Sequence, residues 1–139
     1  MVTVSKQSGI AWTTLSVDDA SGSVEAIKND IVSFSFGTPR AVQDVTGVDK
    51  SAIERLLLLA DFSITLNGVA NFASTPSLHD VFSTVPSTSV ARTTTLTIAS
   101  KTLAPEVLYT DYPLNRSNSG ELTAAIPGVL ATGVVPLWA

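Results

Sequence analysis

The stretch that decides the fold is residues 49–68, which read DKSAIERLLLLADFSITLNG. It begins with mixed charges, passes through four consecutive leucines and ends in an alternating pattern. From Asp61 onward, apolar residues at positions 62, 64 and 66 alternate with polar residues at 63, 65 and 67. A period of two predicts a half-buried strand. The apolar residues of 52–60 fit either a helix of two to three turns or an extended segment, and periodicity alone does not decide between them.

The composition favours β structure with much neutral surface. Only 14% of the 139 residues are charged, whereas soluble domains carry about 25%. The chain has 17 Ser, 17 Thr and 16 Val, and the β-branched types favour pleated, half-buried surfaces. We predict one domain over residues 1–139, with a surface that partners partly cover. The alternative is a hydroxyl-rich surface that water solvates well without charge.

The other segments predict several strands and a single short helix. Residues 1–23 end in a turn-rich cluster and are predicted to form an N-terminal arm or edge segment. An apolar stripe at i, i+3, i+4 and i+7 predicts a helix at about residues 77–85, capped by Ser77. Alternating patterns predict strands at residues 31–36 and at three places between 92 and 126. The fold class is therefore mainly β, a sandwich or barrel with one flanking helix.

No residue pattern points to catalysis, a cofactor or a metal site. His79 is the sole histidine and there is no cysteine, so a surface or half-buried histidine is the favoured interpretation. The pair Asp18–Asp19 lies in a turn cluster, where Asp commonly stabilises the backbone. Asp44 and Asp49 lack the oxygen spacing of a calcium loop. We therefore predict a protein that is not an enzyme.

The charge distribution also argues against a protein that grips nucleic acid. The formal net charge is −4, and the eight Lys and Arg residues are scattered along the chain rather than clustered as in nucleic-acid-binding proteins. The N-terminal residues lack the apolar region of a signal peptide. The longest apolar run, residues 56–60, is far below the roughly 20 residues of a membrane helix. These features predict a protein made and kept in a cytosol or released by lysis.

Four charged residues at the start of the deciding stretch have two interpretations. On a helix, Lys50 and Glu54 would be i, i+4 partners worth a few tenths of a kcal/mol. Alternatively, these two residues and their neighbours Asp49 and Arg55 pair across a subunit boundary, where charge geometry sets specificity. The sequence leaves both open.

Three long segments resemble one family of virion proteins. They are residues 29–71 (NDIVSFSFGTPRAVQDVTGVDKSAIERLLLLADFSITLNGVAN), 77–98 (SLHDVFSTVPSTSVARTTTLTI) and 108–138 (LYTDYPLNRSNSGELTAAIPGVLATGVVPLW). They are similar to the major tail tube proteins of long-tailed, siphovirus-type bacteriophages, particularly those infecting actinobacteria. The resemblance runs from about residue 9 to the C-terminus.

The resemblance implies a β-sandwich-like tube fold with one flanking helix. It also implies six copies in a ring and rings stacked into a tube through which DNA leaves the capsid without specific binding. Six copies carry 6 × (−4) = −24 formal charges, so an acidic lumen would repel DNA phosphates. Expected partners are further copies and other tail proteins at the tube ends, with no membrane anchor. The expected location is the virion tail, after synthesis in the host bacterial cytoplasm.

The charged residues around the deciding stretch are the predicted assembly interface. They are Arg40, Asp44, Asp49, Lys50, Glu54 and Arg55. The alternative function is a β-sandwich binding or decoration module, for example one that binds glycans on a particle surface. Such modules usually display exposed aromatics, and aromatics make up only 6% of this chain.

Overall fold

A computed structural model describes residues 8–139 of the chain. Within that range the structure is mainly β, with one short α-helix and two 3₁₀ turns, Gly9–Ala11 and Lys28–Asp30. The strands are β1 (Trp12–Asp18), β2 (Val24–Ala26), β3 (Ile31–Gly37), β4 (Arg40–Asp44), β5 (Arg55–Ala60), β6 (Ser63–Val69), β7 (Arg92–Ile98), β8 (Lys101–Leu103), β9 (Glu106–Tyr109), β10 (Leu114–Arg116) and β11 (Leu122–Leu130). The helix α1 (Leu78–Phe82) lies between β6 and β7.

The strands form one large antiparallel sheet and one separate hairpin. In the large sheet the order is β2-β1-β7-β9-β11-β6-β3, with β8 also paired to β7 and β10 also paired to β11. The long pairing of β11 with β6, from Thr123–Val69 to Val129–Ser63, joins the two halves of this sheet. Strands β4 and β5 form the hairpin, and in the part of the chain that the structure describes they pair only with each other.

The large sheet curls around a single core. Trp12 on β1 and Phe34 on β3 lie towards opposite ends of the strand order, yet their ring centroids are 4.9 Å apart with the rings nearly perpendicular. Edge-on aromatic pairs of this kind add about 0.5–1.5 kcal/mol beyond the burial of their area. Buried apolar side chains come from across the sheet and from α1: Leu15, Val17, Ile64, Leu66, Leu78, Val81, Phe82, Leu96, Val107 and Ile126. The predicted mainly β fold with one flanking helix is confirmed.

The predicted helix at residues 77–85 is α1 followed by a further turn. The Oγ of Ser77 accepts a hydrogen bond from the Asp80 N–H at 3.1 Å, which is the predicted cap. The three apolar residues of α1 are all buried. Beyond α1, the Val85 N–H donates to the Phe82 carbonyl at 3.1 Å, so the chain continues to turn. No helix within residues 8–139 is long and apolar enough to cross a membrane.

The N-terminal segment differs from its prediction where it enters the sheet. Residues 12–18 of the predicted arm form β1, which lies between β2 and β7 rather than at an edge. Leu15 and Val17 are buried because this strand points them into the core. Residues 1–7 lie outside the described residues, so the arm stays a prediction for them, as does the single domain over the whole chain.

The deciding stretch is extended through its leucines. Strand β5 carries all four of them, and it pairs with β4 so that Val42 lies opposite Leu57 and Gln43 opposite Leu56. This pairing selects the extended alternative for residues 55–60. In the second half of the stretch, the apolar residues at positions 62, 64 and 66 are buried as predicted.

A buried arginine connects β7, α1 and the end of β1. Arg92 is 2% exposed. Its guanidinium donates to the Val81 carbonyl at 2.5 Å, to Oγ1 of Thr84 at 2.8 Å and to the Asp18 carbonyl at 3.4 Å. Carbonyls in the last turn of a helix have no intrahelical partner, so Arg92 caps α1 from the neighbouring strand. Burial lowers the pKa of Arg92, and the negative charge of Asp19 opposes this effect.

Replacing Gly68 by Ala is expected to destabilise the fold by about 1–3 kcal/mol. A Cβ there would lie 2.7 Å from the backbone oxygen of Asp30 and 3.3 Å from the Leu78 side chain. A backbone atom moves aside less easily than a side chain, so the strand itself has to shift. Chemical denaturation measures the loss. The matched control is Gly37→Ala, because a Cβ at Gly37 meets nothing within 4 Å. Equal destabilisation in both variants would contradict this packing argument.

Candidate assembly interface

The hairpin of β4 and β5 is joined to the large sheet by two short connections. Residues 38–39 link β3 to β4, and residues 61–62 link β5 to β6. At the base, the Asp61 N–H donates to the Pro39 carbonyl at 3.0 Å. The Nε of Arg40 donates to the Leu58 carbonyl at 2.7 Å. These hydrogen bonds hold the two strands of the hairpin and its two connections together at the base. We call residues 40–60 the leucine hairpin.

Both faces of the leucine hairpin expose apolar side chains. Leu56 and Leu58 are 54% and 38% exposed, and Leu57 and Leu59 are 53% and 93% exposed. Successive side chains of a strand point to opposite faces, so each face carries two of these leucines. Four more exposed apolar residues lie on β4 and in the loop: Val42, Val45, Val48 and Ile53. Apolar surface of this extent is typical of a region that another protein covers.

Hydrogen bonds close the tip of the leucine hairpin. Oδ1 of Asp44 accepts from the Thr46 N–H at 2.9 Å and from the Thr46 hydroxyl at 2.5 Å. The same hydroxyl oxygen accepts from the Glu54 N–H at 2.8 Å, and the Val45 N–H donates to the Glu54 carbonyl at 3.0 Å. The bonds from the Thr46 hydroxyl and N–H lower the pKa of Asp44. The loop is therefore held by its own polar groups, and its apolar side chains stay exposed.

All the charged residues predicted as the assembly interface lie on the leucine hairpin: Arg40, Asp44, Asp49, Lys50, Glu54 and Arg55. The structure brings together Lys50 and Glu54, whose Nζ and Oε1 are 3.6 Å apart. This is the predicted i, i+4 pair, formed in a loop instead of a helix. The two side chains are 47% and 53% exposed, and an exposed pair contributes about 0–1 kcal/mol.

The remaining predicted interface residues are arranged separately. Arg40 and Asp44 bond to the hairpin backbone and to Thr46, as described above. Arg55 lies opposite Asp44 in the register of the two strands, but the Lys50–Glu54 contact is the one ion pair found within residues 8–139. An assembly role for these side chains stays a prediction. The apolar surface beside them is the part of the candidate site that the sequence analysis did not name.

A groove of about 820 Å³ lies between the base of the leucine hairpin and the C-terminal residues, and its lining includes Phe36, Leu59 and Trp138. The ring centroids of Trp138 and Phe36 are 6.1 Å apart, and Trp138 is 50% exposed. The Ala139 N–H donates to the Thr102 carbonyl at 2.8 Å, which fixes the C-terminal segment beside β8. The sequence analysis missed this groove because only the fold brings these residues together.

His79 is half-buried on α1, as predicted. Its Nδ1 lies 3.2 Å from the Tyr112 hydroxyl, and its ring centroid lies 4.4 Å from that of Phe72. Aromatic packing and one hydrogen bond thus account for the position of this side chain. Its carboxylate neighbour, Asp80, accepts a hydrogen bond from the Thr75 hydroxyl at 3.1 Å.

Comparison with solved structures finds the same fold in chains of gene transfer agent particles. One is a chain of the virion of a native gene transfer agent particle, with a TM-score of 0.73 and 16% identity, covering 96% of this chain and 99% of that chain. Another is a chain from the tail of an empty gene transfer agent particle with C6 symmetry, with a TM-score of 0.73, 17% identity and the same coverages of 96% and 99%. No protein-family model and no curated protein matches the chain. At these identities the comparisons establish the fold.

Replacing Thr46 by Val is expected to raise the pKa of Asp44 towards its ordinary value. The substitution removes the hydroxyl bond that contributes most to the lowered pKa of this carboxyl. Because the pKa of Asp44 is lower in the folded state than in the unfolded state, its ionised carboxylate stabilises the fold at pH values above the unfolded-state pKa. This stabilisation is lost as the pH falls through the folded-state pKa. NMR titration of the Asp44 carboxyl measures the shift. Thr46→Ser keeps the hydroxyl and serves as the control; a pKa that is the same in Thr46→Val and wild type would refute the assignment.

Proposed function

We propose that the chain is a major tail tube protein, a structural subunit that assembles into stacked hexameric rings. The observation that carries this proposal is the leucine hairpin, whose two faces expose leucines that residues 8–139 cover only in part. A two-stranded hairpin alone is at best marginally stable in water. In a ring, neighbouring subunits supply the missing surface on either side of the hairpin.

The comparisons support a ring of six. The fold is shared with a chain from a tail of C6 symmetry, and the sequence resembles tail tube proteins of siphovirus-type phages, particularly those infecting actinobacteria. A head-to-tail contact repeated around an axis closes into a ring, and a second contact along the axis stacks the rings. The leucine hairpin spans residues 40–60 and is connected to the large sheet at one end only, so in the proposed ring it contacts the neighbouring subunit.

The edges of the large sheet give a second reason for self-assembly. Within the described residues the sheet ends at β2 and β3, so each has an unpaired edge. Val32 on β3 is 73% exposed. An exposed strand edge is a template for pairing with another chain, and closed assemblies remove it. In the proposed ring, the edge at β3 extends into the sheet of the next subunit and gives the tube a continuous wall.

The proposed tube is the conduit for DNA ejection. Each ring has 6 × (−4) = −24 formal charges, and this negative field repels phosphates so that the duplex slides without specific binding. Other tail proteins bind at the two tube ends. The proposed location is the virion tail, reached after synthesis in the host bacterial cytoplasm. The proposed role involves no catalysis, no cofactor and no membrane anchor.

Electron microscopy of the purified protein is expected to show rings and stacked tubes. Leu57→Thr combined with Leu59→Thr is expected to reduce the assembled fraction more than about tenfold, because each leucine buried in a contact contributes about 1.5–3 kcal/mol. Threonine keeps the strand propensity of the position. Sedimentation velocity quantifies rings and monomers in both proteins.

The matched control for the leucine variant is Leu114→Thr. Leu114 is 42% exposed on β10, outside the leucine hairpin, so its substitution is expected to leave assembly unchanged. All three substitutions affect exposed positions and should change the free energy of unfolding by less than about 0.5 kcal/mol each. A wild-type protein that stays monomeric at high concentration would refute the proposed function.

Charge reversal at Lys50 or Arg55 is expected to impair assembly more than folding. Lys50→Glu removes an exposed ion pair that contributes about 0–1 kcal/mol to the stability of the monomer. It also places like charges at the proposed contact, and their repulsion weakens the contact between subunits more than it weakens the fold. Thermal unfolding and sedimentation of the same samples separate the two effects. Equal losses of thermal stability and of ring formation would instead assign these charges an intrachain role.

The alternative is a binding or decoration module for glycans. The groove lined by Phe36 and Trp138 favours it, because aromatic rings at a concave surface are suited to stack on apolar faces of ligands. The discriminating measurement is a glycan array probed with the purified chain. Binding by a stable monomer favours the alternative, whereas rings that bind no glycan favour the tail tube.

A further inference from the structure

The short strand β10 gives the large sheet a further unpaired edge. It pairs with the start of β11 on one side, from Leu114–Ala124 to Arg116–Leu122, and within residues 8–139 no strand pairs with its other side. We propose that this edge receives β3 of the neighbouring subunit, so that these two strands join the sheets of successive subunits. Such pairing rests on the proposed function, because it occurs only in a ring of subunits.

Strand direction selects β10 as the partner of β3. Strands β10, β11, β6 and β3 lie side by side, and each neighbouring pair is antiparallel. Four strands that alternate in this way leave β10 and β3 running in opposite senses, and rotation about a ring axis keeps those senses. Strand β3 of one subunit and β10 of the next are therefore antiparallel. Strand β2, at the far end of the large sheet, runs in the same sense as β3 and would give the less common parallel pair.

The sequence of β3 leaves its unpaired edge open to another strand. Exposed edges of monomers are commonly protected by charged side chains, by proline or by a bulge. Strand β3 reads IVSFSFG, without a charged residue or a proline. Its bulge lies at the start, between Ile31 and Ser33. The part of the strand beyond Ser33 therefore has none of these devices.

The unpaired edge of β3 carries the main-chain groups of two phenylalanines. The carbonyl of Phe62, just before β6, accepts a hydrogen bond from β11 at 3.0 Å. Main-chain groups of successive residues point to opposite edges of a strand, so those of Thr65 point to β3, where Ser35 lies opposite. The N–H and C=O groups of Phe34 and Phe36, on either side of Ser35, therefore point away from β6.

Strand β10 presents a matching set of main-chain groups. At the start of β11, the Leu122 carbonyl accepts a hydrogen bond at 3.0 Å from the residue that follows β6. The next residue, Thr123, therefore points its main-chain groups to β10, where it lies opposite Asn115. The N–H and C=O groups of Leu114 and Arg116 face the unpaired edge. Each edge thus offers two donors and two acceptors on residues two positions apart, which is the repeat of an antiparallel ladder.

The stagger of a closed sheet brings the two sets of groups together. Across one row of the sheet, Leu114 is level with Ile31, through Ala124 and Gly68. Strands of a barrel tilt by about 35–45°, so with strands about 4.8 Å apart and about 3.3 Å per residue the row shifts by about four to six residues over four strands. Pairing Phe36 with Leu114 of the next subunit needs a shift of 36 − 31 = 5 residues. A shift in the other direction places β10 beyond the start of β3, where no pairing is possible.

The faces of the two strands agree in this register. Phe34 and Phe36 pack against the core. Leu114 lies opposite Ala124, which is 3% exposed, and directly opposite residues share a face of the sheet. Pairing Phe36 with Leu114 therefore continues the core face of one subunit into the core face of the next.

The first test is disulfide formation between subunits, which is clean because the chain contains no cysteine. In the proposed register Ser35 lies opposite Asn115 of the neighbouring subunit, with Cα atoms about 4.5 Å apart, a separation that a disulfide spans. Oxidised assemblies of Ser35→Cys combined with Asn115→Cys are expected to give covalent ladders of up to six chains on a non-reducing gel. Within one chain β6 and β11 separate these positions, so the bond forms only between subunits.

The matched control is Thr65→Cys combined with Asn115→Cys. Thr65 lies beside Ser35 on the next strand and on the same face, so it is about 4.8 Å further from the subunit boundary and out of reach of a disulfide. No ladder is expected from this pair.

The second test removes one main-chain donor from the edge of β10. Arg116→Pro deletes an N–H that faces away from β11, and proline is tolerated at an edge strand when its N–H side faces solvent. Thermal unfolding of the monomer is therefore expected to change little. The assembled fraction in sedimentation is expected to fall at least about tenfold, because all six contacts of a ring lose a hydrogen bond. Arg116→Ala keeps the N–H and is expected to assemble like the wild type.

The outcomes separate this pairing from the ring itself. Rings that form without a ladder in the Ser35–Asn115 cysteine pair overturn the pairing and leave the proposed function standing, and the cysteine pair decides alone if Arg116→Pro folds poorly. Equal assembly of a folded Arg116→Pro and the wild type also overturns the pairing. A wild type that forms no rings overturns the proposed function and the pairing with it.

Discussion

A two-stranded sheet has two faces and cannot bury either of them against itself. The candidate interface follows from this constraint, because the leucine hairpin is such a sheet. Strands β4 and β5 pair with each other, so β5 presents one pair of leucines on each side. The tip bonds of Thr46 and the base bonds of Arg40 satisfy the backbone without covering those leucines. The large sheet, in contrast, curls over its own core and α1. The chain therefore combines a body that has its own core with an extension whose leucines stay largely exposed.

Polar groups placed in the core connect the elements of the body. Arg92 connects the last turn of α1 to β7 and to the end of β1. Asp30 bonds to the first turn of α1, since its Oδ2 accepts from the Leu78 N–H at 2.9 Å. The carboxylates of Asp19, Glu25 and Asp80 gather beside Arg92. Charged side chains from outside α1 therefore bond to both ends of this short helix.

Local periodicity predicted those elements whose structure is set by their own sequence. The alternation after Asp61 predicted β6, and the apolar stripe after Ser77 predicted α1 with its cap. Four consecutive leucines fit both the helical and the strand period, so only the pairing of β5 with β4 decides that they are extended. In the sequence, Val32 alternates in phase with Phe34 and Phe36. A bulge between Ile31 and Ser33 interrupts this alternation in β3, and Val32 is therefore exposed. The six charged interface candidates were predicted together because they are close in sequence, and their assembly role stays a prediction. The groove beside Trp138 was missed because its lining comes from distant segments that only the topology unites.

The two short connections at the base of the leucine hairpin have an evolutionary consequence. Residues 38–39 and 61–62 are the covalent links between this extension and the large sheet. The side chains of the core come from outside the hairpin, apart from partial contacts at its base. Substitutions between these links therefore leave the core of the body unchanged, and in the proposed tube they would be limited by the surface of the neighbouring subunit. In the proposed tube, lineages that share the body would be able to diverge into polymers that do not mix, and exchanging residues 40–60 between two such proteins would exchange which subunits they assemble with.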